Sequence, residues 1–148
     1  MTTEPPIRVE RRVRAAPDVV YRYLTESAAW SRWQGASAEI EPVPGGRFLM
    51  RMANGAIAEG QFVELVPDTR VVFTWGWRAD LAVPPGSSTV EIELLPDGDA
   101  TLVRLTHRGL PVDSIPIHAV GWDRYVDRLA IVAGGGDPGP DRGPGSPA

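Results

Sequence analysis

The chain is 148 residues long, 43% hydrophobic and 23% charged, which is one domain's worth of length and apolar enough to close a core without disulfides or a structural metal. It contains no cysteine, so disulfide frameworks, thiol nucleophiles, iron–sulfur clusters and thiolate zinc sites are excluded. The formal net charge of -4 argues against the broad basic surface that a nucleic-acid or anionic-membrane partner requires.

Residues 1–6 carry neither a basic n-region nor an apolar h-region, and no run approaches the roughly 18 apolar residues that span a bilayer. A flexible N-terminus and a cytoplasmic protein are expected. Ile7 to Arg14 alternates apolar and polar residues, the pattern of a half-buried strand, with Arg11 the one polar residue on the apolar face. Pro17 and Asp18 start a short helix carrying Val19, Val20, Tyr23 and Leu24. A second short helix, Ala28 to Trp33, stops at Gly35.

The pattern then becomes β. Strands are expected at Ala36 to Glu41, Arg47 to Met52, Ile57 to Val66, Val71 to Trp77, Thr89 to Leu95 and Thr101 to His107. Turn residues separate them, among them Pro44-Gly45-Gly46, Asn54-Gly55 and Pro67-Asp68. From about His118 to Ala133, Trp122, Tyr125, Val126, Leu129 and Val132 recur at helical spacing over roughly four turns. Asp123, Arg124, Asp127 and Arg128 occupy the other side and read as a solvated face. Six glycines and four prolines stand among the last fifteen residues, a composition that packs no core. A disordered tail is therefore expected at 134–148 and a folded domain at 7–133.

Consecutive strands without intervening helices make an antiparallel sheet, and the helices must cover one of its faces. The expected fold is α+β: a curved sheet of about seven strands wrapped around a long C-terminal helix, with two short helices after the first strand. An apolar space between sheet and helix is a common place for a ligand.

Six segments occur in an order that resembles a known family. They are Ala16-Pro17-Asp18-Val19-Val20-Tyr21, Trp30-Ser31-Arg32-Trp33, Pro44-Gly45-Gly46-Arg47-Phe48, Val72-Phe73-Thr74-Trp75-Gly76-Trp77, Pro85-Gly86-Ser87-Ser88-Thr89-Val90 and His118-Ala119-Val120-Gly121-Trp122. Together they resemble the heat-shock ATPase activator homologues of the START-like, birch-pollen-allergen-like superfamily of helix-grip proteins. One departure is Trp33-Gln34, where many members carry a Trp-Trp pair. The resemblance implies the helix-grip fold. It leaves the activity open among lipid and sterol carriers, polyketide cyclases and stress-linked proteins, with a chaperone as a further partner. Homodimers are common in such folds, and no sequence feature decides the matter here.

Strand parity nominates polar residues for the interior. If Val63 and Leu65 face the core, Glu59 and Gln61 do so too. His107 shares a face with Val103 and Leu105, and Arg11 with Val9 and Val13. Glu59 and His107 are the catalytic candidates, as acid and base, and Arg11 is the candidate anchor for a ligand anion. The plainer alternative is that these strand ends are solvated, or that a β-bulge reverses the parity. Met50, Met52, Phe73, Trp75, Trp77 and Trp122 offer polarizable or aromatic surface for an apolar ligand, or simply form core. Trp33 and Trp122 either close the cavity mouth or fasten the helices to the sheet, and Gln61 and His118 complete the expected lining. The two histidines do not have metal-ligand spacing and no acidic cluster joins them, so neither a metal nor a cofactor is expected. The leading expectation is a protein binding a small hydrophobic or aromatic ligand. A cyclase- or hydrolase-type enzyme using the same cavity and a chaperone-associated module are the alternatives.

Overall fold

The computed structural model describes residues 5–143. The start of the expected flexible N-terminus, 1–4, and the end of the expected tail, 144–148, lie outside the described residues. In chain order the elements are β1 (Ile7–Val13), α1 (Pro17–Tyr23), α2 (Ser27–Trp30), β2 (Ser37–Ile40), β3 (Arg47–Arg51), β4 (Ile57–Val66), β5 (Arg70–Trp75), β6 (Ser88–Asp97), β7 (Ala100–Arg108), a 3-10 turn (Val112–Ser114) and α3 (Ile115–Ala133). The helix α3 begins three residues before His118, because Pro116 sits in its first turn, where a missing N–H leaves no helical bond unmade.

From β2 to β7 each strand pairs antiparallel with the next, and β1 adds to the free side of β7. The order β1-β7-β6-β5-β4-β3-β2 is an open seven-stranded sheet with β1 and β2 at its edges, and α1 and α2 carry the chain from one edge to the other. This is the expected α+β helix-grip fold. The inward residues of the sheet and the Trp122, Tyr125, Val126, Leu129 and Val132 stripe of α3 form one core. Aromatic rings run through it: Trp30 meets Phe73 at 5.5 Å, Phe73 stacks on Phe48 at 4.4 Å, and Trp75 lies 5.1 Å from Trp122.

The parity assumed for β4 is reversed. Ala58 and Phe62 are buried, whereas Val63 is 50% exposed, so Glu59 and Gln61 are on the opposite face from the core. The pairing with β5 shifts between Phe62 and Glu64, and this bulge returns Leu65 to the edge of the core. The strand β5 ends at Trp75; Trp77 is attached beyond it by a single bridge to Ala58. Gly76 between them has no room for a side chain, since a Cβ there would lie 1.8 Å from the Pro84 carbonyl oxygen. The loop 78–86 therefore folds directly over the end of the strand.

The outer side of α3 is also not the uniform solvated face expected. Asp123 and Asp127 are exposed and face Arg11 of β1, Asp123 in direct contact and Asp127 at 4.0 Å. Arg128 is buried and donates to the carbonyls of Trp33, Pro138 and Gly139 at 3.0, 2.9 and 2.7 Å. Residues 137–143 thus lie against the domain.

Candidate functional site

A cavity of about 480 Å³ lies between the Trp75–Asp80 region and the first three turns of α3. Trp75, Trp77, His118, Trp122 and Tyr125 contribute rings to its wall and Met52 a thioether. Helical geometry accounts for three of these. His118, Trp122 and Tyr125 are spaced by four and three residues and so stand on one face of α3. Asp80, Asp113 and Ile117 stand at the end of the cavity nearest the start of α3.

Two indoles and the imidazole of the wall are bonded to protein atoms. An indole N–H only donates. Trp122 donates to His107 Nδ1 at 2.8 Å, so neutral His107 carries its proton on Nε2 and donates it to Ser88 Oγ, also at 2.8 Å. The Ser88 hydroxyl in turn donates to the Trp75 carbonyl at 2.8 Å. Trp77 donates to His118 Nε2 at 3.0 Å, and His118 Nδ1 donates to the Ser114 carbonyl one helical turn back, at 2.8 Å. In contrast, the Trp75 indole nitrogen is buried with no partner among the described residues.

These bonds determine the chemistry available. Ser88 and His107 have the separation of a nucleophile and its base, but the proton order runs the wrong way. The imidazole has no lone pair facing the serine, and the serine hydrogen already points at a carbonyl. Burial, followed by repulsion from His118, lowers the His107 pKa to about 3. Burial also lowers His118, against the opposing pull of the Ser114 carbonyl and Asp80.

Among the residues singled out from sequence, Met52, Trp75, Trp77, His118 and Trp122 line this cavity. His107 is buried directly behind Trp122. Met50 and Phe73 are wholly enclosed in the core. Trp33 is equally buried, stacked on Trp30 at 4.9 Å and bonded to the Tyr23 carbonyl at 3.0 Å. It fastens the helices and does not close a mouth. Gln61 is exposed on the outer face of β4, and Glu59 is paired with Arg78 at 2.5 Å. Arg11 is committed to the two aspartates of α3, so it is not an anchor inside the cavity.

Sequence reading missed Tyr125, Gln34, Asp80 and Asp113. Tyr125 was legible from its spacing to Trp122. Gln34, at the position where the family resemblance expects a second Trp, lines the cavity and accepts the Trp30 indole N–H at 2.9 Å. Asp80 and Asp113 belong to connecting segments, where no periodicity marks them.

An open antiparallel sheet packed on a long C-terminal helix, with an aromatic cavity between them, defines a START-like helix-grip protein. Residues 14–134 match the family described as Activator of Hsp90 ATPase homolog 1-like protein, and the chain belongs to that family. The human Activator of 90 kDa heat shock protein ATPase homolog 1 is 27% identical over 111 residues, which are 74% of this chain and 31% of that protein. The chain thus spans about a third of the length of this relative. The solution structure of an AHSA1-like protein from Rhizobium etli is 40% identical, covers 100% of this chain and 94% of its own, and superposes with a TM-score of 0.71. The Aha1 dimer from Colwellia psychrerythraea shares the fold, with a TM-score of 0.78 at 18% identity, over 90% of this chain and 100% of that one. Among the described residues no helix is long and apolar enough to cross a membrane.

Proposed function

We propose that the cavity binds a small hydrophobic or aromatic molecule and holds it without transforming it. The observation that carries this reading is the state of the aromatic wall: the Trp77 and Trp122 indoles and the His118 imidazole are bonded to protein atoms, as is His107 behind them, leaving ring faces and edges for a ligand. Such a surface rewards apolar contact and stacking. A volume of about 480 Å³ suits a molecule of two to three fused rings or a folded acyl chain. An enzyme in the same cavity would need a wall group with a free lone pair. The imidazole of the wall, His118, has its Nε2 held by Trp77, which leaves the carboxylates of Asp80 and Asp113 as the wall groups with lone pairs to offer.

The test is a titration of intrinsic tryptophan fluorescence with lipids, sterols and polyketide-like aromatics, paired with native mass spectrometry of the freshly purified protein. Saturable quenching by at least one class is expected. No fluorescence response to any class and no co-purifying molecule would overturn the proposal.

A second reading rests on the exposed apolar residues Leu81, Val112, Ile117 and Val120, of which Ile117 lines the cavity. Such a group also suits a protein partner, and the name of the human relative makes Hsp90 the one to test. A purified Hsp90 whose ATPase rate is unchanged by excess of this protein would end that reading.

A further inference from the structure

We propose that the end of the cavity near Tyr125 adjoins a carboxylate-binding site that the chain fills with its own Asp141, and that a carboxylate-bearing ligand enters by displacing residues 137–143. The inference rests on the cavity being a ligand site and adds a ligand class and a means of control.

The Asp141 side chain is 1% exposed although it belongs to a segment of glycines and prolines. Its Oδ2 accepts the Gly35 N–H at 2.8 Å, its Oδ1 accepts the Gly143 N–H at 2.9 Å, and an Arg124 terminal nitrogen lies 3.5 Å from Oδ1. Burial, the largest single influence, opposes the charge, yet the Gly143 and Gly35 N–H groups, the Tyr125 hydroxyl and the Arg128 charge together outweigh it and hold the carboxyl below its usual range. Burial and the Asp141 carboxylate push the Tyr125 phenol up, so a neutral hydroxyl stands beside the site.

Apart from the Gly143 N–H, which belongs to the segment itself, the receptor is built by the domain. Gly35 has φ +78°, and a Cβ there would come within 2.7 Å of Met50 Sδ and 2.9 Å of the Arg51 carbonyl oxygen, so its N–H direction is set by the packing of α2 against β3. Arg128 is 7% exposed and oriented by its bond to the Trp33 carbonyl. With the segment displaced, the Gly35 N–H and the Arg124 and Arg128 donors that now meet Asp141, Pro138 and Gly139 would face one space, an array of donors that a carboxylate can accept.

Asp141 does not saturate this receptor. An arginine fork can hold a carboxylate through two parallel bonds. Arg124 touches Asp141 only at 3.5 Å, and its Nε is buried with no partner among the described residues. A carboxylate free of the chain can meet both donors. The segment is attached through polar contacts of Asp141 and of the Pro138 and Gly139 carbonyls, while Asp137, Pro140 and Arg142 are exposed and a hollow of about 390 Å³ lies beside it. Opening exchanges these polar contacts for water or for those of an incoming carboxylate. The site is also continuous with the cavity, since Gln34 and Tyr125, adjacent in sequence to Gly35 and Arg124, are cavity wall.

The test follows the Gly35 amide by nitrogen-15 NMR in the full chain during titration with benzoate and, separately, with benzamide. In Asp141→Ala, benzoate is expected to shift this amide saturably and benzamide not, with half-saturation at about tenfold lower concentration than in the unaltered protein, whose own carboxylate competes. Adding Arg124→Gln should abolish the response. Asp141→Asn, which keeps the shape, should show the same ordering, so it decides the matter if the alanine variant does not fold. The proposal is overturned if benzoate leaves Gly35 unmoved in both variants, if benzamide acts equally, or if the unaltered protein binds benzoate as tightly. Retained benzoate binding at Gly35 with no response of the tryptophans to an uncharged aromatic, 2-acetylnaphthalene, would instead refute the cavity reading while leaving the anion site standing.

Discussion

An indole N–H has no lone pair, so a histidine that faces one has to offer its own. Trp122 and Trp77 impose this on His107 and His118, and protonating either ring would point two hydrogens at each other. Both imidazoles are held below their ordinary pKa of 6.5, His107 at about 3. The unfolded chain takes up these protons near pH 6.5 and the folded chain only at lower pH. Stability is therefore lost as pH falls from about 6.5 toward 3, by at most about 1.4 kcal/mol per pH unit for each imidazole. Urea denaturation at pH 7 and pH 5 should show the loss, and His118→Gln should reduce the slope. Ser88→Ala tests the network differently. It strands the His107 Nε2–H and the Trp75 carbonyl in the core, at about 1–3 kcal/mol. Thermal unfolding should report that loss while fluorescence-detected ligand binding is retained.

The strand β4 shows how one bulge redistributes an element. Phe62 and Val63 are consecutive apolar residues, and only Phe62 is enclosed. Phe62→Ala should cost about 3–5 kcal/mol through the cavity it leaves, whereas Val63→Thr should stay within about 0.5 kcal/mol. Equal effects in denaturant titrations would show that the register is wrong. The same contrast explains the misplaced acid candidate: Glu59 has the parity of Val63, so it meets Arg78 and not the cavity.

Across the whole molecule the cavity exists because α3 lies on the sheet and the loop after β5 folds over the strand end. Wall residues then divide by what else they support. Trp122 is 2% exposed and joins core and wall, while Trp77 is only partly buried. Trp77→Ala should weaken the tightest ligand of the panel about tenfold, a loss of about 1.4 kcal/mol, and shift the melting temperature little. Trp122→Ala should lower both stability and affinity. Melting curves alongside binding isotherms separate the two.

Local and periodic features were legible in the sequence: the strands and their turns, the two short helices, the amphipathic C-terminal helix, and through them the helix-grip fold. Alternation and helical spacing follow from backbone geometry, which any short window of sequence carries. Met52, Trp75, Trp77, His118 and Trp122 could be nominated for the same reason, as large residues on predicted inward faces. Only the tertiary structure decided which carboxylate is inside and which arginines are. Glu59 was displaced by a bulge that no residue announces, and Arg11 by aspartates 112 positions away in the nearer case. Arg124 and Arg128 looked solvated because their partners lie in a glycine- and proline-rich segment whose composition offers no core. Burial of a charge depends on which distant group meets it, and that is a property of the assembled chain.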